Sequence, residues 1–337
     1  MSDFWTATLA QAPESKAVED TLCTLYPVTN RSVLLAHGVD AAKFMQGQFT
    51  CNLGEISETQ FRHGACCNAK GRMVANFTLA KSEQDNAYLL ALDSSVSDAL
   101  QAHLKKYMVF FKSKLETTDY VVTGIKGEQA RRLLTEVFGD CPAQDYQQHT
   151  FEGGLITQLP FNAGFEIWLT HEKAQTALPT LMQSATLADT NSWPKNLIQS
   201  GLPQLTHVDI EAHIPQMLNL GLLEGISFSK GCYTGQEIVA RMQYLGKMKR
   251  HMYLVSIQSS SIVSGDSLYT ANAKSAVGSV INAVVNTEAN SNQSLALAVI
   301  EDKHINAALF SDSDLGTSVE LLSLPYDPQY DPQKTDE

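Results

Sequence analysis

The sequence predicts an α+β protein that ends in a small β-barrel, and three observations predict it. Helix-period and strand-like apolar runs alternate up to about residue 245, a mixed pattern rather than a purely helical or purely extended one. Beyond Arg250, short runs such as Tyr253–Ile257, Gly278–Val285 and Leu295–Ile300 are separated by Ser, Asn and Gly turns, the signature of a small barrel or sandwich. The chain is 337 residues long and 44% hydrophobic. At roughly 150 residues per domain that is enough for two domains with cores of their own, needing no disulfides or structural metals.

Residues 1–30 are polar and aperiodic and read as a loose lead-in. Val33–Ala36 follows as a short strand, then a short helix opening at Asp40, a capping residue. Arg62–Cys67 and Met73–Ala80 flank Asn68-Ala-Lys-Gly71. Turn chemistry between two strand-like runs predicts a β-hairpin. Tyr88–Leu92 is a further strand, and Val96, Ala99, Leu100, Leu104 and Met108 recur at helical spacing. Tyr120–Ile125, Leu155–Leu159 and Phe165–Leu169 read as strands, and Glu128–Phe138 and Glu172–Gln183 as helices, the first closed by Gly139. Ser192-Trp-Pro-Lys opens another helix, with Pro194 in its first turn. The expected division is an α+β region over 1–245 with a second subdomain at about 120–190, a barrel over 246–325, and an acidic tail over 326–337.

A formal net charge of −12 excludes a general nucleic-acid coat and a binder of anionic membranes. Half of that excess lies in residues 311–337, which carry a net of −6. Two stretches run the other way. Residues 230–251 hold five basic residues against Glu237 alone, and His103–Lys114 holds four lysines and no acid, a net of +4 in each. These read either as solvated faces or as a pocket for an anionic small molecule or a landing strip for RNA. No apolar run approaches the roughly 18 residues of a membrane span. The first 20 residues lack the basic and apolar regions of a signal peptide. The six cysteines form no CxxC pair, so reduced thiols and a cytoplasmic setting are expected.

The most informative stretch is Lys230-Gly-Cys-Tyr-Thr-Gly-Gln-Glu-Ile-Val-Ala-Arg241. Thr234 followed by Glu237 has capping-box spacing, and Tyr233 with Ile238 has that of a hydrophobic staple. Ile238, Val239, Met242 and Leu245 would form the buried stripe, with Gly246 ending the helix. Cys232 would then sit beside a helix N-terminus and two residues from Lys230, both of which favour a thiolate. The segment reads equally well as a capped helix preceded by a buried cysteine. His63-Gly-Ala-Cys-Cys67 invites a metal reading, but adjacent cysteines on a strand point to opposite faces, and no further ligands are identifiable. His207 and His213 are expected to face solvent or cap a turn. No Walker A, GxGxxG, HExxH or GxSxG pattern occurs.

Gly225–Arg241, GISFSKGCYTGQEIVAR, resembles the signature of the YgfZ family, folate-binding members of the glycine-cleavage T-protein (aminomethyltransferase) superfamily. Lys43-Phe-Met-Gln-Gly-Gln-Phe-Thr50, Asn68-Ala-Lys-Gly-Arg72, Lys105-Lys-Tyr-Met-Val-Phe110, and Ile214-Pro-Gln216 with Asn219-Leu220 support it in the family's order. The resemblance implies an aminomethyltransferase-like folate-binding region followed by a barrel, and a tetrahydrofolate-type ligand. It implies an accessory role toward iron–sulfur enzymes, including the one that methylthiolates tRNA, with no membrane and no DNA partner. It places the functional motif on Lys230, Gly231, Cys232, Tyr233, Thr234, Gly235, Gln236, Glu237 and Arg241, with Cys232 and Lys230 as the residues of any chemistry, and a folate-side tryptophan on Trp193. Cysteine-containing relatives also match at Cys67.

Four positions depart from the superfamily. Ala75 and Asn76 stand where aminomethyltransferases carry an Asp pair, which removes the group expected to assist methylene transfer. Gln199 replaces a ligand-holding glutamate and supplies hydrogen bonds without charge. Arg31 replaces a second ligand-side tryptophan. The expected function is a folate-binding accessory protein; a folate-dependent one-carbon transferase and a ligand-free scaffold are the alternatives.

Overall fold

The computed structural model describes residues 3–11, 22–286 and 292–330. Among the described residues, three sheets of six, five and six strands surround one shared core. The five-stranded antiparallel sheet runs in the order Arg62–Cys67, Met73–Lys81, Ala87–Asp93, Arg31–His37, Lys114–Thr117. Its hairpin turns at Asn68, whose side-chain oxygen accepts from the Lys70 and Arg72 N–H groups, with Gly71 at φ +69°. One face buries Leu34, Phe49, Phe77 and Leu90 under the helices Ala41–Gln46 and Ser97–Met108. The other contributes Val33, Ala65, Met73 and Leu89 to the shared core. Cys66 and Cys67 fall on opposite faces, one in each cluster.

A second sheet orders Thr186–Leu187, Thr24–Val28, Val121–Lys126, Gly164–Leu169, Gly154–Leu159 and Gln148–Phe151. Helices Ala130–Phe138 and His171–Ser184 cover one face through Leu133, Leu134, Leu178 and Leu181. The polar start of the chain is not a loose lead-in throughout. Asp3–Gln11 is a helix held by Trp5, which is fully buried and donates its indole N–H to the Val122 carbonyl at 3.0 Å. Thr24–Val28 is a strand inside this sheet. One large ring anchors a segment that has no apolar period of its own. Residues 12–21 lie outside the described part of the chain.

The third sheet uses Arg250–Ile257, Ser267–Leu268, Gly278–Val285, Ser294–Glu301, Leu309–Phe310 and Ser318–Leu322. Its two ends meet where Tyr269 and Phe310 exchange both backbone hydrogen bonds, at 2.8 and 2.9 Å. That bridge nearly closes the sheet into a barrel around Val255, Ile257, Val280, Ala298 and Ile300, removing the exposed edges an open sheet would carry. Residues 323–330 form no helix or strand. They still pack on the body: the Tyr326 hydroxyl donates to the Gly201 carbonyl at 2.7 Å and its ring lies 5.0 Å from that of Phe161. The remaining acidic residues of the end, from Asp331, lie outside the described residues. Between the second sheet and the barrel, residues 200–235 are irregular apart from two short 3-10 turns, and they carry most of the site.

Candidate functional site

Three segments far apart in sequence meet around Lys230. Its side chain is buried, and its ammonium donates to the carbonyls of Phe49 and Cys51, both at 2.7 Å, with the Tyr233 ring 5.1 Å away. Burial lowers its pKa to about 8, against the opposing pull of Cys51 and Glu55. Next along the chain, the Thr234 N–H donates to the Gly47 carbonyl at 3.1 Å and its hydroxyl to the Gln48 side chain at 3.3 Å. Gly235, at φ +86°, sits against the hairpin turn, where an added Cβ would lie 2.5 Å from the Asn68 carbonyl oxygen. Only glycine combines that dihedral with that approach.

These contacts correct the sequence reading of the motif. The helix runs from Gln236 to Tyr244 with Gly235 as its N-cap, and no side chain caps it. Thr234 and Glu237 therefore form no capping box: Thr234 is turned to Gln48, and Glu237 is exposed. Gln236 takes up the local role, its side-chain oxygen accepting from the Tyr233 N–H at 3.3 Å. Tyr233 is buried against the site, leaving its hydroxyl without a partner. Of the expected stripe only Val239 is buried; Leu245 is 84% exposed. The tight fit of Gly235 on the hairpin sets the start of the helix, and the long-range docking overrides the local capping signal.

Cys232 is exposed, not buried, while Cys23, Cys51, Cys66 and Cys67 are all interior. Lys230 does not serve it: the ammonium is taken by two carbonyls on the inner side. Gly231, Glu237 and Arg241 are also exposed. The motif thus splits into an anchoring half (Lys230, Tyr233, Thr234, Gly235) and a presenting half around the Cys232 thiol. Gln216 holds the helix from behind, donating to the Val239 carbonyl at 2.7 Å, and Asn219 bridges to the barrel by bonding both backbone groups of Met252. Beside the helix opens a cleft of about 630 Å³, bordered by Gln216, Phe228, Tyr244, Lys247, His251 and Tyr330.

Trp193 belongs to a second, interior cluster. It is fully buried, its ring lies where a Cβ on Gly124 would have to go, and Tyr26 packs 5.3 Å away. Its indole N–H donates to Glu166 at 3.2 Å. The same carboxylate accepts from Trp168 at 3.1 Å and from Arg31 at 3.3 Å, and Arg31 also donates to Gln204. Both positions that the resemblance assigns to a ligand-side tryptophan thus converge on one buried carboxylate. Gln199 does not join them; it ends the helix Ser192–Gln199 and is exposed.

Glu166 is the residue the sequence reading missed. Its signal was available: a lone acid inside the apolar run Phe165–Leu169, on a strand buried along both faces, demands partners because an unpaired buried charge is prohibitive. Nearby polar atoms are left open. Arg31 Nε, His63 Nε2 and the Tyr146 hydroxyl are buried without a hydrogen-bond partner. His63 packs edge-on to Phe61 and Tyr146, and burial, with Arg31 and Arg62, lowers its pKa to about 3. His213, expected to face solvent or cap a turn, is buried 3.9 Å from Asp209, whereas His207 is exposed. Asn76 donates to Pro203 and accepts from the Leu205 N–H, both at 2.8 Å, so its two ends are occupied, and Ala75 beside it is buried.

The described chain matches the GCVT N-terminal domain family over residues 4–192. It is 32% identical over 239 residues to the tRNA-modifying protein YgfZ of Aliivibrio fischeri strain MJ11, covering 69% of this chain and 71% of that one. It is 34% identical over 243 residues to the protein of the same name from Yersinia pestis strain Pestoides F, covering 71% and 72%. Among solved structures it shares its fold with the glycine cleavage system aminomethyltransferase T from Bartonella henselae, at a TM-score of 0.73 and 16% identity over 92% of this chain and 87% of that one. With two such relatives matched over more than two thirds of their length and the domain family matched over more than half of the chain, the chain belongs to the YgfZ family of GCVT-fold proteins.

Proposed function

We propose that this protein is a cytoplasmic, folate-binding accessory factor that supports iron–sulfur enzymes and, through them, the methylthiolation of tRNA. The observation that carries the reading is the division of the motif: Lys230 locks it to the Phe49–Cys51 carbonyls while Cys232 is displayed at the surface. An exposed thiol on a rigid mount suits contact with a partner protein or its cluster better than enclosed chemistry on a small molecule. The likeness to proteins named for tRNA modification supports the same direction. The accessory reading is preferred to a transferase because Ala75 and Asn76 offer no carboxylate and Asn76 is fully engaged. The organisation that goes with it is a folate-binding region over 1–245 and a separate barrel over 246–325.

The interior cluster fits a reduced folate in its chemistry. Unpartnered polar atoms on Arg31, His63 and Tyr146 lie among aromatic walls, and a flat heterocycle edged with donors and acceptors would satisfy them. Trp193 contributes by orienting Glu166 rather than by presenting an open face. The bound folate would supply one-carbon or redox chemistry; Arg31 and Glu166 would hold its polar edge.

The test is complementation of a deletion strain, read as methylthiolated tRNA by mass spectrometry, together with calorimetric titration of tetrahydrofolate. Wild type restores the modification and Cys232→Ala does not; Arg31→Ala and Trp193→Ala weaken folate binding. Full restoration by Cys232→Ala, or no saturable heat up to millimolar folate, overturns the corresponding half of the reading.

A further inference from the structure

The lysine run His103–Lys114 is not absorbed by either cluster. Lys105 and Lys106 occupy the last turn of the helix Ser97–Met108, and Lys112 and Lys114 follow the turn that leads into the edge strand Lys114–Thr117. All four are exposed, and none makes an ion pair within the described residues. Between them the turn sorts its apolar residues into two sets. Met108 and Phe111 pack inward, Phe111 5.2 Å from Phe44. Val109 and Phe110 point out, 74% and 84% exposed, with Tyr107 beside them at 37%.

The display is held in place. The Phe111 N–H donates to the Met108 carbonyl at 2.9 Å. Asp40 grips Lys112 on both sides, its carboxylate accepting from the Lys112 N–H at 2.8 Å and its own N–H donating to the Lys112 carbonyl at 3.3 Å. Gly38, at φ +118°, lets the chains approach so closely that any Cβ there would strike that carbonyl. A turn pinned at its base, with two rings outward and four unpaired cations around them, is built for a polyanion that also offers flat apolar faces.

We infer that this turn is an RNA-contacting surface. Tyr107 and Phe110 stack on unpaired bases of a folded RNA, and Lys105, Lys106, Lys112 and Lys114 meet the flanking phosphates. An anionic membrane shares the charge but not the shape, since only Val109 and Phe110 could insert and the turn that carries them is fixed. The choice of tRNA as the probe rests on the proposed role in tRNA modification.

The experiment measures anisotropy of a fluorescent, unmodified tRNA transcript with the full-length protein. Four neutralised phosphates predict that affinity falls about 50-fold between 50 and 200 mM salt. The variant carrying Lys→Gln at all four lysines loses most of that salt dependence, and Phe110→Ala weakens binding about 5- to 150-fold, both with wild-type thermal melting. Absence of saturable binding, affinities unchanged in both variants, or binding to phosphatidylserine vesicles without binding to tRNA overturns the inference. Restoration of tRNA methylthiolation by a wild-type protein that does not bind the transcript overturns this surface alone, leaving the accessory role intact. Binding without restoration does the reverse.

Discussion

Lys230 donates to the carbonyl of Phe49 across 181 positions of sequence. That bond, with its twin to Cys51, ties the segment around Lys230 to the stretch after the helix Ala41–Gln46, which bridges through Phe49 to Cys66 of the five-stranded sheet. Replacing Lys230 by Met keeps the aliphatic stem but leaves two interior carbonyls unpaired. Each costs roughly 1–3 kcal/mol, so urea unfolding should show a loss of about 2–6 kcal/mol, with Cys232 more mobile in hydrogen exchange of its neighbours. An unchanged midpoint would show that water replaces the ammonium freely.

Glu166 is the shared acceptor of Arg31, Trp168 and Trp193. Glu166→Leu strands the Arg31 guanidinium and should destabilise the fold by about 3–5 kcal/mol, the usual result of removing one partner of a buried pair. Glu166→Gln keeps acceptor capacity for the indoles and should cost clearly less. Equal losses for the two variants in denaturant titrations would mean that charge plays no part there.

Thiol exposure separates Cys232 from the rest. Of the six cysteines it alone is exposed, with Cys141 intermediate and four buried. Ellman's reagent should therefore find one rapidly reacting thiol in the native protein and six after denaturation. Cys232→Ser should remove the fast phase. A fast phase that survives would place the reactive thiol elsewhere.

His63 predicts an acid limit. Its pKa is lowered from 6.5 to about 3 in the folded chain, so between those values the unfolded chain binds a proton that the folded one does not. Stability from this group is complete above about pH 6.5 and drains away as pH falls toward 3, with a slope of up to about 1.4 kcal/mol per pH unit. His103 and His213 are shifted downward too and add to the effect. The Thr78 hydroxyl lies 3.3 Å from His63 Nδ1, and His63→Asn keeps a partner for it and cannot titrate. The difference between wild type and variant should grow on acidification, measured by thermal melting from pH 7 to 4; parallel curves would refute it.

The hairpin Arg62–Lys81, the amphipathic helices and the run of short strands after Arg250 were legible because each is written in local periodicity and turn chemistry. The N-terminal helix was not, since Trp5 secures it through a carbonyl 117 positions away. For the site, the motif itself stood out in the sequence, and so did the charge of the His103–Lys114 run.

What the sequence determined by itself was therefore the class of fold, the family motif and the residue types available for chemistry. Only the tertiary structure decided which way those residues face. Thr234 and Glu237 have capping-box spacing, yet Gly235 docks on Asn68 and moves the helix start, because one backbone approach that excludes a Cβ outweighs a cap of about 1 kcal/mol. Trp193 is interior and donates to Glu166, which looked unremarkable and is the centre of that cluster. Spacing along a chain governs local hydrogen bonds, whereas burial and pairing depend on segments that only the completed core brings together.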